Sequence, residues 1–114
     1  MRSVVAQMGV TLDGYVAGPS GSAGYGLAAE HPDVQAWKVA SLRRVASHIM
    51  GRVTYEQMAA HWPNASGDYA QFMNALPKTV FSKTLSTADW AHTRIARGDL
   101  HDEIGALKDE GDGE

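Results

Sequence analysis

Residues 47–56 read Ser47-His48-Ile49-Met50-Gly51-Arg52-Val53-Thr54-Tyr55-Glu56. A short apolar run meets a glycine and an arginine, and a threonine then stands where a helix would open. A strand that ends in glycine and feeds a helix N-terminus gathers unpaired backbone N–H groups at one point. Arg52 places a fixed positive charge with forked donors beside that point. The residues therefore predict a strand over 47–50, a turn at Gly51-Arg52, and a junction suited to a phosphate. Thr54 and Gln57 have the spacing of a capping box, which predicts a helix over about 55–61 with Tyr55, Met58 and Ala59 facing inward.

Upstream of this stretch, residues 4–10 form an apolar, β-branched run broken by Gln7 and Gly9, which reads as a buried strand. Thr11-Leu12-Asp13-Gly14 is a sharp turn, and residues 15–17 resume extended structure. Residues 18–26 are a Gly/Ser-rich loop, of the kind that borders sites on rigid scaffolds. His31-Pro32-Asp33 opens a helix, with Asp33 complementing its dipole. Val34, Trp37, Leu42 and Val45 recur at helical spacing and should face a sheet.

Downstream, residues 62–67 break the helix that follows Gly51. Tyr69, Phe72, Met73 and Leu76 mark a short amphipathic helix limited by Pro77. Residues 78–84 read as a strand ending in Ser82, Lys83 and Thr84, and residues 93–96 as another. Asp99 is the expected N-cap of a last helix with Leu100, Ile104 and Leu107 on one face. The acidic, glycine-rich residues 109–114 are expected to fray. Strands alternating with helices define an α/β class, with a mostly parallel central sheet flanked by helices. Ligands of such sheets bind outside the carboxyl ends of the strands. Residues 11–14, 51–54 and 82–84 all fall at such ends.

The 114 residues read as a single domain over 1–114, expected to be incomplete on the resemblance given below. A net charge of −3 argues against a nucleic-acid partner, since phosphate backbones want a basic surface. No run approaches the roughly 18 apolar residues of a membrane helix, and the N-terminus does not read as a signal peptide. The absence of cysteine excludes disulfides, thiolate metal sites and thiol nucleophiles. A reducing cytoplasm is the expected location. The five histidines, at 31, 48, 61, 92 and 101, lack metal-ligand spacing, so no metal site is expected. His48 reads as an interior residue of its strand.

Met50-Gly51-Arg52-Val53-Thr54-Tyr55-Glu56 resembles the M-G-R-x-T-[WY]-E motif of the dihydrofolate reductase superfamily. Met8-Gly9-Val10-Thr11-Leu12-Asp13-Gly14-Tyr15-Val16-Ala17 is similar to the opening of one branch, which holds the reductase domain of the bacterial bifunctional riboflavin-synthesis deaminase–reductase. Residues 76–84 are similar to that family's next strand. The resemblance implies a dihydrofolate-reductase-like fold and an NADPH-dependent reductase of a pterin, a pyrimidine or a similar heterocycle. It places Gly51, Arg52, Val53 and Thr54 at the cofactor pyrophosphate, with Arg52 on the phosphate of the adenosine ribose. It sets Ser82 and Lys83 at the same end, and Val16 and Ala17 near the nicotinamide, with Ala6 and Gln7 close by. It also implies a second half beginning with a strand and a Gly-Gly turn. A chain that stops before that half reads either as a truncated product of a longer protein or as one whose open sheet edge a homodimer, with or without exchanged elements, would cover. The other reading is a non-catalytic nucleotide-binding or dimerising remnant of the fold.

No catalytic acid stands out. Asp13 reads first as a turn residue and second as a group pointing at substrate. Asp33 lies roughly where folate-reducing relatives keep their proton-donating acid, but a first-turn dipole partner is the simpler role.

Overall fold

The structure, a computed structural model, describes residues 1–21 and 31–114. Most of the glycine-rich loop expected over 18–26 lies outside the described residues. The elements follow in the order α1 (Pro32–Leu42), β1 (His48–Gly51), α2 (Arg52–His61), a 3₁₀ turn (Trp62–Asn64), α3 (Asp68–Ala75), β2 (Lys78–Phe81), β3 (Thr93–Ala96) and α4 (Leu100–Asp109). The three strands form a parallel sheet in the order β1-β2-β3. This is the α/β architecture that the alternation of patterns predicts.

Helix starts follow local chemistry. At α1 the His31 side chain accepts from the Asp33 N–H, and Pro32 occupies the first turn, where a missing N–H costs nothing. At α4 Asp99 accepts from the N–H groups of His101 and Asp102, as the sequence predicts. At α2 the helix begins three residues earlier than expected. Gly51 takes the N-cap position with no capping side chain, and the Thr54–Gln57 box does not form. Thr54 is already inside the first turn, where its hydroxyl cannot serve as the cap.

The core gathers Leu42, Tyr55, Met73, Val80 and Trp90, with Met58, Ala59, Tyr69, Phe72, Leu76 and Ile95 packed against it. Several expected core positions fall elsewhere. Val34 and Trp37 of α1 are 42 % and 58 % exposed, because only the C-terminal end of α1, at Ser41 and Leu42, is buried. Leu100, at the start of α4, is also exposed, and that helix anchors through Leu107. β2 stops at Phe81 instead of running to 84, since Ser82 Oγ accepts from the N–H groups of Thr84 and Leu85 and turns the chain.

The largest departures are at the two ends. Residues 4–10 belong to no strand, and Val4, Val5, Met8 and Val10 are exposed. An apolar run becomes a strand only beside a partner edge, and a cleft separates this one from β1. The acidic tail, by contrast, is held. The Met1 ammonium pairs with Asp112, the Arg2 N–H donates to the Lys108 carbonyl, and Glu114 bonds to Arg44, Ala46 and Ser47.

β2 is the most deeply buried strand, and it begins with a lysine. Lys78 Nζ donates to the carbonyls of Met73 (2.9 Å), Asn74 (3.2 Å) and Leu76 (2.7 Å), closing the C-terminus of α3. It also lies 4.3 Å from the Trp90 ring centroid. Trp90 is fixed in turn by Asn74 Oδ1 at 2.8 Å and by the Tyr55 hydroxyl. Burial pushes the Lys78 ammonium down to about 8, which still leaves it cationic at neutral pH. A cation at a helix C-terminus that satisfies three carbonyls is a strong tie.

Lys78→Met should therefore cost about 2–4 kcal/mol at pH 7 in urea denaturation, since it orphans those carbonyls. Between pH 8 and 10.5 the unfolded chain holds a proton that folded Lys78 has released, so this residue makes stability climb with pH across that window. The same titration on the Met variant should lack that climb.

Candidate functional site

The parallel register sets Gly51 opposite Phe81 and Phe81 opposite Ala96. The three strands therefore finish together, and the residues just beyond them share one edge of the sheet. Those residues are Arg52, then Ser82 and Lys83, then Arg97. The register brings together Gly51, Arg52, Val53 and Thr54 on the one hand and Ser82 and Lys83 on the other, from separate stretches of sequence.

The first turn of α2 is the electropositive feature of this edge. Its early N–H groups receive no side-chain cap, and no acid stands in its first turn. The N-terminus of α4 is closed by Asp99, and that of α3, also without a capping side chain, carries Asp68 in its first turn. An open, acid-free helix start suits an anion. Arg52 does not point freely at that space. Its Nη1 donates to Glu56 Oε2 at 2.8 Å, an i,i+4 pair with both side chains about half exposed. Such a pair contributes only about 0.5 kcal/mol, so a phosphate can displace it.

Ser82 shapes the turn after β2 through its own hydroxyl, and Lys83 is exposed with no ion pair among the described residues. Arg97 was missed by the sequence reading. Its Nη2 donates to the Leu85 carbonyl, which holds the side chain beside the turn that carries Lys83. The signal was present in the sequence as a basic residue directly after the run 93–96. Only the register shows that this run ends level with the other two.

Val16 and Ala17 are not joined to this edge by any described hydrogen bond. Gln57 Nε2 of α2 donates to the Gly21 carbonyl, further along their segment, at 3.5 Å. Asp13 accepts from the Thr11 hydroxyl at 2.6 Å, in a turn closed by the Gly14 N–H on the Thr11 carbonyl, with Gly14 at φ +92°. Asp33 is exposed in the first turn of α1, 3.7 Å from His31 Nδ1. Asp13 thus has a local hydrogen-bond partner, while Asp33 serves α1 through its backbone N–H on His31 Nδ1. Among the described residues, Asp99, His101 and Asp102 come close enough together to share a cation, but all three are exposed and Asp99 serves as the α4 cap.

A cleft of about 490 Å³ lies on the other side of β1, between that strand and residues 2–8. His48 lines it, with Nδ1 buried and without a hydrogen-bond partner among the described residues. Burial, and then the neighbouring Lys78 ammonium, hold the His48 imidazole below its ordinary value of 6.5.

A short parallel sheet with helices at its faces, whose strands end at a common edge facing an open helix start, is an α/β architecture consistent with the dihydrofolate-reductase-like class. Its sequence matches the model of the RibD C-terminal domain over residues 2–109, and the chain belongs to that family. It is also similar in structure to a protein of Shewanella sp. PV-4 described as a riboflavin biosynthesis protein, with a TM-score of 0.68 and 25 % identity. The alignment covers 91 % of this chain and 57 % of that one, so the chain spans little more than half of its neighbour's length. No curated protein matches. No described helix is long and apolar enough to cross a membrane.

The His48 environment has a measurable consequence. The unfolded chain takes up this proton more readily than the folded one, so His48 lowers stability as pH falls through 6.5. Urea denaturation between pH 7 and 5 should show a steeper loss for the wild type than for His48→Gln.

Proposed function

We propose that this chain supplies the cofactor-phosphate half of an NADPH-dependent reductase acting on a heterocyclic small molecule. The substrate class is the ribosylaminopyrimidine of riboflavin synthesis, with a pterin as the alternative. Membership of the RibD C-terminal family and the Shewanella neighbour support the pathway. The observation that carries the cofactor reading is the uncapped start of α2, level in register with the ends of β2 and β3.

The donor set fits the phosphates of NADPH. The backbone of residues 51–54 offers N–H groups to a pyrophosphate, and Thr54 adds a hydroxyl in the same turn. Arg52, Lys83 and Arg97 supply positive charge for the extra phosphate that distinguishes NADPH from NADH. Ser82 keeps the Lys83 turn in shape. When bound, the nicotinamide supplies the hydride. The chain's own part is to bind and orient the dinucleotide; Val16 and Ala17 are the proposed neighbours of the nicotinamide. The acid that would protonate substrate is unassigned, and water is the simplest source. Homodimerisation belongs to the same proposal, and light scattering on the purified chain should give twice the monomer mass.

NADPH should raise the melting temperature by at least about 3 °C more than NADH at equal concentration, since a ligand that binds only the folded state stabilises it. Arg52→Ala and Lys83→Ala should each shrink that difference. Equal shifts for the two nucleotides, or none, would leave a non-catalytic, dimerising module as the better account; the open cleft beside β1 favours that second reading.

A further inference from the structure

Of the three cations at the common edge, Arg52 is the one with a carboxylate partner among the described residues. Arg97 gives its described side-chain bond to the Leu85 carbonyl, and Lys83 makes no described ion pair. The Arg52–Glu56 pair runs against both electrostatic preferences of a helix. Arg52 is the first residue of α2, so its charge stands at the positive end of the helix dipole. Its acid follows four residues later, and an i,i+4 ion pair is weaker in that order than with the acid first. An acid at the helix start with a base one turn on would satisfy both preferences. The sequence has the reverse, and no acid stands anywhere in the first turn. A charge set against its own helix is one placed for something besides the helix.

The geometry of the pair says what Glu56 does. Arg52 Nη1 reaches Glu56 Oε2 at 2.8 Å, which draws the guanidinium along the helix and away from the first N–H groups. Glu56 also lines a cleft of about 480 Å³ with Thr87 and Asp89, which belong to the connection between β2 and β3. The pair therefore lies on the flank of α2 that faces that connection, and the same connection carries Lys83. The guanidinium is kept beside the anion site while committed to an internal anion. Both side chains are about half exposed, so a ligand can reach the pair and water weakens it.

We propose that Glu56 is a built-in competitor for Arg52, a carboxylate that an incoming phosphate displaces and that takes the guanidinium back when the phosphate leaves. This role rests on the reading of the edge as a site for the phosphates of NADPH. A carboxylate offers Arg52 one charge and two oxygens. A phosphate monoester offers up to two charges and three oxygens, and it gains the open N–H groups of α2 in the same step. The exchange therefore favours a phosphate dianion and disfavours weaker anions. Glu56 touches no reacting atom. It is a positioning residue that acts through Arg52, tempering affinity at this edge and tying it to the charge of the ligand.

The test is Glu56→Gln, which keeps the shape of the side chain and removes its charge, with NADPH and NADH titrated by calorimetry at low salt. NADPH should bind about threefold tighter or more than it binds the wild type, and NADH affinity should stay within about 1.5-fold. In an Arg52→Ala background the same substitution should move NADPH affinity by less than about 1.5-fold, because no guanidinium is left to release. High salt should narrow the gain. Weaker or unchanged NADPH binding by Glu56→Gln, with a wild-type preference for NADPH that depends on Arg52, would overturn the competitor role and leave the cofactor reading standing. An equal gain for NADH, or an equal gain without Arg52, would also overturn it, since general charge repulsion produces both. If neither nucleotide binds, the cofactor reading fails and inorganic pyrophosphate decides the rest. Tighter pyrophosphate binding by Glu56→Gln that requires Arg52 would keep the competitor role, and no pyrophosphate binding would end it.

Discussion

A parallel strand is stable only when its two edges are paired and its two faces are covered, and in the described sheet β2 alone meets both conditions. Everything else is arranged around it. Val80 is fully buried, Lys78 and Thr79 nearly so, and the Lys78 ammonium reaches back to close the helix that delivers the strand. The same ammonium lies over Trp90, whose indole and backbone N–H groups are claimed by Asn74 and Tyr55. A single buried cation therefore ties α2, α3, β2 and the approach to β3 into one unit. Its burial is tolerable because carbonyls and an aromatic face replace water around the charge.

The common edge of the sheet is a consequence of that packing. β2 sets the register of both neighbours, so the residues after all three strands end level. Isolated surface cations at Arg52, Lys83 and Arg97 would each contribute little. In the proposed reading, their placement at the same edge as one uncapped helix start would let a dianion meet helix dipole and side-chain charge together. The sheet supplies the alignment, and the turns supply the chemistry.

Much of this was legible in the sequence, and the failures have physical causes. The class, the strands at 47–50, 78 onward and 93–96, and the Asp99 cap follow from local pattern, which the structure keeps. The G-R-V-T junction was legible as a strand ending in glycine and feeding a helix, but Thr54 was taken for a cap because spacing cannot tell an N-cap from a residue one turn inside. Arg97 was hidden because its significance depends on which residues lie level across the sheet, and register is not a local property. Val34, Trp37 and Leu100 were misassigned because periodicity finds an apolar face without saying how much of it is covered. Residues 4–10 have the composition of a strand, yet composition cannot supply a neighbouring edge.

The two open features of the molecule share one strand. The carboxyl end of β1 feeds the uncapped start of α2, and the free edge of β1 forms a wall of the cleft. β1 has four residues and, among the described strands, pairs on one side only. Any displacement of so short an edge strand would carry Gly51, and with it the first N–H groups of α2, relative to the β2 turn. An anion site built from donors on two strands is only as well preorganised as the pairing between those strands. Whatever fixes that edge of β1 would therefore also sharpen the proposed anion site at its end, through Gly51, which belongs to both.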